Sequence, residues 1–192
     1  MVPLLGPSWI IGDKILSPIV RFPLFIDEIK EHWRTVHVSF RWTFFNLRFE
    51  QQERSYLHFE FDPEPGEYAE SAMQMSGAVS PKLISVEELR IFLAAKVVES
   101  GISWHKFYQY FPNVKVIQTE NTDPSRLAGT LLQGVENHVD DLGFLPALEE
   151  IEVGPYKWGK HENQSESELA VFDPFISARQ RVGRPVKVYF RP

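Results

Sequence analysis

The sequence predicts an α/β fold in which strands and helices alternate to build a curved, mostly parallel sheet, with an antiparallel strand-rich part at the N-terminal end. Three observations lead there. An apolar pattern recurs three times after Leu83, helix-forming stretches separate the copies, and strand formers dominate the chain up to Pro65.

The recurring pattern is apolar-x-x-apolar-x-apolar, with Thr accepted at the last place. It is spelled Val86-Glu-Glu-Leu89-Arg-Ile91, Val114-Lys-Val-Ile117-Gln-Thr119 and Leu148-Glu-Glu-Ile151-Glu-Val153. Phe111-Pro112-Asn113 and Leu145-Pro146-Ala147 announce two of the copies, and proline suits a residue ahead of a strand because no amide donor is needed there. The copies start 28 and 34 residues apart, at or beyond the long end of leucine-rich repeats, which run to about 20–29 residues. The pattern therefore reads as an irregular leucine-rich-repeat-like solenoid with a helix in each crossover.

The intervening segments supply those helices. Ser103 is a candidate N-cap for Ser103 to Tyr110, where Trp104, Phe107, Tyr108 and Phe111 recur at helical spacing. Asp123 as cap and Pro124 at the first helical position precede Leu127, Leu131 and Leu132. Glu166 to Val182 carries Leu169, Phe172, Phe175 and Ile176 before Gly183 as a stop, and Pro185 to Phe190 alternates as a closing strand.

Before Pro65 the period is two. Val36, Val38 and Phe40 alternate with His37 and Ser39, and Leu57, Phe59 and Phe61 alternate with Tyr56, His58 and Glu60. Glu50 to Arg54 reads as the polar connection after the apolar run Trp42 to Phe49, so antiparallel strands are expected. Asp62-Pro-Glu-Pro-Gly66 punctuates the chain, and Glu67 to Pro81, with little apolar periodicity, reads as surface loop. The layout is a single domain over 1–192, in which residues 1–65 are strand-rich, 66–82 form a loop and 83–192 hold the repeats.

Composition narrows the function. With 192 residues and 43% hydrophobic content the chain can bury a sizeable core. Without Cys it has no disulfide, thiolate nucleophile or cysteine-held metal, which leans towards an intracellular setting, cytoplasm or nucleus. Met1 to Asp13 lacks a basic segment ahead of its apolar stretch, and Lys14, Pro18, Arg21 and Pro23 break up Trp9 to Ile26, so no membrane partner is expected. The net charge of -6 argues against nucleic acid. Acids crowd Glu120 to Val153, where Arg126 is the single base, and Arg179, Arg181, Arg184, Lys187 and Arg191 follow without acidic company. These blocks either attract each other within the fold or form a charged partner surface.

No reaction centre is legible. His161-Glu162 begins a zinc-helix spelling, but Ser165 stands where the second His belongs. His58 and Glu60 share one side of a strand, as exposed faces routinely do. His138 beside Asp140 and Asp141, or His105, could join Ser103 or Ser125 in a dispersed hydrolase site, yet no nucleophile elbow or phosphate loop anchors it. Asn163-Gln-Ser165 spells a glycosylation acceptor and reads as a loop. No catalytic residue, metal ligand or cofactor is assigned.

In a leucine-rich strand the residues between and after the apolar positions line the solvent-facing sheet. Here they are Glu88, Arg90 and Phe92, then Val116, Gln118 and Glu120, then Glu150 and Glu152. Tyr156 and Trp158, in the loop Gly154 to Gly159, are candidate aromatic anchors. The expectation is a non-enzymatic protein-binding scaffold that uses this largely acidic strip, its protein partner unidentified.

Leu145-Pro-Ala-Leu-Glu-Glu-Ile151, Phe175-Ile-Ser-Ala-Arg-Gln180 and Gly183-Arg-Pro-Val186 give the chain from Leu83 onward a resemblance to a known family. The segment resembles the C-terminal leucine-rich-repeat-like region of F-box-like proteins of mushroom-forming fungi. The resemblance implies repeat architecture and a binding function. It transfers no functional residue, and because no F-box is visible in Met1 to Leu83, neither a ubiquitin-ligase role nor a Skp-type adaptor is expected. A truncated relative without independent function is the remaining alternative.

Overall fold

A computed structural model describes residues 8–11, 14–16, 33–40, 45–51, 55–61, 68–93, 103–137, 144–155 and 169–191. Nine strands lie in these segments: β1 (Ser8–Ile11), β2 (Lys14–Leu16), β3 (Thr35–Phe40), β4 (Phe45–Gln51), β5 (Ser55–Phe61), β6 (Glu88–Leu93), β7 (Val116–Glu120), β8 (Glu150–Val153) and β9 (Lys187–Phe190). They hydrogen-bond into one sheet in the order β2-β1-β5-β4-β3-β6-β7-β8-β9. On one side of β3 every pairing is antiparallel, and on the other every pairing is parallel. The expected α/β fold, with an antiparallel N-terminal part and a parallel part after it, is therefore present, with β3 as the seam.

The helices are α1 (Tyr68–Leu83), α2 (Trp104–Tyr108), α3 (Pro124–Glu136) and α4 (Asp173–Arg181), the last preceded by a 3-10 turn at Ala170–Phe172. All four contribute side chains to one core cluster with the inward residues of the sheet. Each parallel crossover from β6 to β9 carries a helix, as the alternation of patterns requires.

The three sequence copies stack in the register in which they align. Leu89 lies beside Ile117 and Ile117 beside Ile151, while Ile91, Thr119 and Val153 form the next row. All of these residues are at most 3% exposed. Ahead of each strand the same turn repeats: the amides of Val86, Val114 and Leu148 donate to the carbonyls of Leu83, Phe111 and Leu145. The carbonyl of Arg34, Glu87 or Lys115 then accepts from two successive amides of the next strand. The backbone geometry is thus as repetitive as the apolar pattern.

The parallel stack starts earlier than the sequence boundary at Leu83. Val36 and Val38 pair with Leu89 and Ile91, and Trp33, buried at 3%, occupies the place of Val86. Trp33 is fastened by Ser85, whose hydroxyl accepts from the Trp33 amide at 3.2 Å. Trp33-x-x-Val36-x-Val38 is another copy of the pattern, hidden among strands that share its alternation.

Two other expectations need correction. The segment Glu67 to Pro81 is not a loop, because α1 runs over Tyr68–Leu83. Its face is built from Met73, Ser76, Val79 and Leu83, and Ser76, Val79 and Leu83 are buried; a stripe holding a serine carries too little apolar periodicity to read. The polar connection after β4 is also shorter than expected, since Glu50 and Gln51 extend that strand.

Local chemistry sets the helix ends. The Asp123 carboxylate accepts from the Ser125 amide at 2.9 Å with Pro124 following, the cap that the sequence signals. Ser103 makes no side-chain cap, and its hydroxyl is engaged by His105 instead. Pro174 restricts α4 to begin at Asp173. At its other end Gly183, at φ +72°, closes a Schellman turn: Arg184 N–H donates to Arg179 O and Gly183 N–H to Gln180 O, both at 2.9 Å.

Arg179 is the one buried cation among the described residues, at 3% exposure. Its guanidinium donates to the carbonyls of Phe144 (3.3 Å), Leu145 (3.1 Å) and Leu148 (2.8 Å). Leu145 stands at φ +45°, a left-handed conformation that branched apolar residues avoid. The guanidinium collects the carbonyls of this turn and holds it open for β8. Burial, reinforced by Arg184, pulls its pKa downward. Substituting Arg179→Met would remove the guanidinium donors of the Phe144 and Leu148 carbonyls and leave Leu145 O with the Leu148 amide alone, and a loss of about 3 kcal/mol is expected in urea denaturation.

Two glycines of α3 give a paired test. A Cβ at Gly134 would lie 2.2 Å from Phe144 Cζ, whereas one at Gly129 meets nothing within 4 Å. Gly134→Ala should destabilise by about 1–3 kcal/mol as the Phe144 ring is displaced. Gly129→Ala should stabilise by about 0.5–1 kcal/mol through helix propensity alone. Thermal denaturation of both variants beside the parent reads the contrast.

Candidate functional site

Because side chains alternate along a strand, burying Leu89, Ile91 and their row partners turns the intervening residues to the opposite face. Among the described residues no helix lies on that face. It carries three rows. Thr35, Glu88, Val116, Glu150 and Lys187 form the first, and His37, Arg90, Gln118, Glu152 and Tyr189 the second. Ser39, Phe92 and Glu120 begin the third, which Gly154 and Arg191 continue. β4 adds Asn46, Arg48 and Glu50 beside β3.

Seven of the sequence candidates, Glu88, Arg90, Phe92, Gln118, Glu120, Glu150 and Glu152, are thereby gathered on one surface. Tyr156 and Trp158 lie outside the described residues, as do His138, Asp140, Asp141, His161, Glu162 and the Asn163 spelling. The side chains of His58 and Glu60, on β5, are likewise outside them.

The surface is not an acidic strip. Every described carboxylate in these rows has a donor. Arg90 Nη2 is 2.6 Å from Glu88 Oε1, Arg48 Nη2 is 2.9 Å from Glu50 Oε1, and Lys187 Nζ is 3.7 Å from Glu150 Oε1. Arg191 pairs with Glu120. The Tyr189 hydroxyl lies 2.7 Å from Glu152 Oε1 and 3.1 Å from Glu150 Oε2. Those hydrogen bonds, led by the one to Glu152, push the phenol pKa upward. Of the two readings of the charge blocks, attraction within the fold is the one realised by Lys187 and Arg191.

The Glu120–Arg191 pair depends on a glycine. Gly154 sits between them, directly after β8, and a Cβ there would come within 2.3 Å of the Thr119 carbonyl and 3.3 Å of Glu120 Cγ. With no side chain at that place, Arg191 reaches across to β7. A shallow depression lies beside this bridge, lined by His37, Ser39, Arg90, Phe92, Gln118 and Arg191. Gln118, one of its lining residues, has a buried Oε1 without a hydrogen-bond partner among the described residues.

A second ladder runs along the starts of the strands. Glu87 lies 3.3 Å from Arg34 and 2.8 Å from Lys115. The hydrogen bond from Lys115 holds the Glu87 carboxyl below its ordinary pKa. These exposed pairs join successive strands but contribute little stability individually.

The dispersed hydrolase arrangement assembles only in part. Ser103 Oγ and His105 Nδ1 are 3.2 Å apart on one turn. Among the described residues His105 has no carboxylate partner, so the hydrogen-bonded chain from nucleophile to base to acid is not completed there. No group of three or more potential metal ligands occurs among them either. No described helix is long and apolar enough to cross a membrane.

Comparison with protein-family models, with curated proteins and with solved structures returned no match.

His37 gives the surface a pH signature. Burial pulls its pKa below 6.5, with Arg90 and Arg48 acting in the same direction, against the opposing hydrogen bond to Glu50. The neutral ring donates from Nε2 to Glu50 Oε2 at 2.8 Å. Since unfolding restores an ordinary imidazole, His37 contributes stability above its unfolded pKa, and that contribution is lost as pH falls through the lower folded value. Unfolding free energies of the parent and His37→Gln from about pH 7.5 to about pH 5 should show the parent losing more stability on acidification.

Proposed function

We propose that the chain is a non-enzymatic protein-binding module, built as an irregular leucine-rich-repeat-like solenoid, with the helix-free face of its sheet as the recognition surface. The observation that carries this reading is the construction of that face. Five parallel strands in one register present polar side chains in rows, and these side chains hold one another by ion pairs and hydrogen bonds. A surface ordered before a partner arrives loses less side-chain freedom on association, which is the usual advantage of repeat scaffolds in recognition.

The kinship with the C-terminal region of F-box-like fungal proteins belongs to the same proposal. Its support is the way the three resembling segments converge. Leu145 to Ile151 forms the turn into β8, Phe175 to Gln180 provides Arg179 to that turn, and Gly183 to Val186 closes α4 and leads into β9. Residues that look like a family signature in sequence are one structural unit in space.

Val116 is the position at which to test the surface. It is a half-buried apolar residue flanked across the sheet by Glu88 and Glu150, so an arginine there finds carboxylates on both sides and should leave the fold intact. Val116→Arg places a long cation in the middle of the first row, whereas Ser125→Arg places one at the exposed start of α3. Affinity capture from a fungal extract, read by mass spectrometry, should lose the same proteins with Val116→Arg that Ser125→Arg retains. Equal retention by both variants would contradict the assignment of the face.

A further inference from the structure

The depression on the helix-free face has its own charge character. Two guanidinium groups border β7 there: Arg90 from the neighbouring strand, and Arg191 carried over Gly154 from the end of β9. Each is held from one side only. Glu88 Oε1 takes Nε and Nη2 of Arg90, and Glu120 takes Nη2 of Arg191, so the remaining N–H groups make no hydrogen bond among the described residues. Gln118 lies between them with an amide oxygen that has no partner among the described residues, and Phe92 supplies an apolar wall. Of the charged side chains lining the hollow, two are guanidinium and one, Glu120, is carboxylate.

We propose that this depression seats an aspartate or glutamate side chain from an acidic segment of the partner protein, with Arg90 and Arg191 as its cationic clamps and the Gln118 amide as a third donor. The inference rests on the helix-free face being the recognition surface and adds the chemistry of what docks there. Charge complementarity carries it: a carboxylate accepts from forked guanidinium donors, which are oriented in advance by Glu88 and Glu120. A flip of the Gln118 amide turns its N–H groups into the hollow, which gives an otherwise idle side chain a use.

The test is fluorescence anisotropy on the full chain with three labelled peptides of about ten residues, each a Gly-Ser frame bearing Glu, Gln or phosphoserine at the same positions. The Glu peptide should bind, and weaken as salt is raised, while the Gln peptide should not. Arg90→Gln and Arg191→Gln should each lower affinity at least about tenfold. Lys187→Gln, an identical charge change on the same face outside the hollow, should alter it by less than about threefold. Equal losses from Lys187→Gln and the arginine variants would reduce the effect to diffuse attraction and overturn the site. Binding of the phosphoserine peptide alone would overturn the carboxylate assignment, and binding of neither charged peptide would overturn the proposal. In that last case, partner capture still abolished by Val116→Arg would leave the recognition face standing with a different occupant. Loss of both results would remove the two together.

Discussion

A parallel sheet tolerates no slip between strands when one face is buried, because a shift by a single residue turns every inward side chain outward. That constraint organises this protein. The inward rows, from Val36 through Leu89, Ile117 and Ile151 to Val188 and from Val38 through Ile91, Thr119 and Val153 to Phe190, are continuous across five strands. The register is set before each strand begins, by the turn that donates from Val86, Val114 or Leu148 and by the paired amides that meet the preceding strand's carbonyl. Where the turn is most strained, at Leu145, a buried guanidinium compensates. Everything on the opposite face inherits its rows from this stack.

The legible part of the fold was the part in which one interaction dominates one position. Burial of Leu89, Ile117 and Ile151 demands apolar residues at fixed offsets, so three strands and their register could be read from pattern alone. The strand at Val36 follows the same rule, but its alternation also suits an antiparallel strand, and its neighbours β4 and β5 are antiparallel. α1 escaped for the opposite reason. Its buried stripe includes Ser76, and Pro81 lies within the helix, so local preference opposes what packing against the core enforces. Arg179 was unreadable as a core residue because its partners are backbone carbonyls, which leave no trace in residue types.

The candidate surface shows a similar division. Alternation placed Glu88, Arg90, Phe92, Gln118, Glu120, Glu150 and Glu152 on one face, but not their pairing. Counting acids along the chain between Glu120 and Val153 suggested a negative strip, whereas the sheet brings in Lys187 and Arg191 from the C-terminal end and Arg48 from β4. Charge blocks well separated in sequence become neighbours once parallel strands stack. Net charge therefore describes the chain better than it describes any face of it.

The balance of charge also governs what such a face can discriminate. A strip of unpaired carboxylates would attract any basic partner and bind weakly in salt. Here each carboxylate already engages a cation or the Tyr189 hydroxyl, so a partner must offer more than opposite sign: it must complement donors and acceptors left at particular points of the rows. Gln118 is such a point. Its oxygen is buried without a hydrogen bond in the second row, between the strands that supply Arg90 and Glu152. An unmet amide within an otherwise satisfied network costs stability in the free protein. A partner carboxylate that draws the amide round, so that its N–H groups donate, offsets part of that cost on binding, and a group of the wrong shape or charge does not.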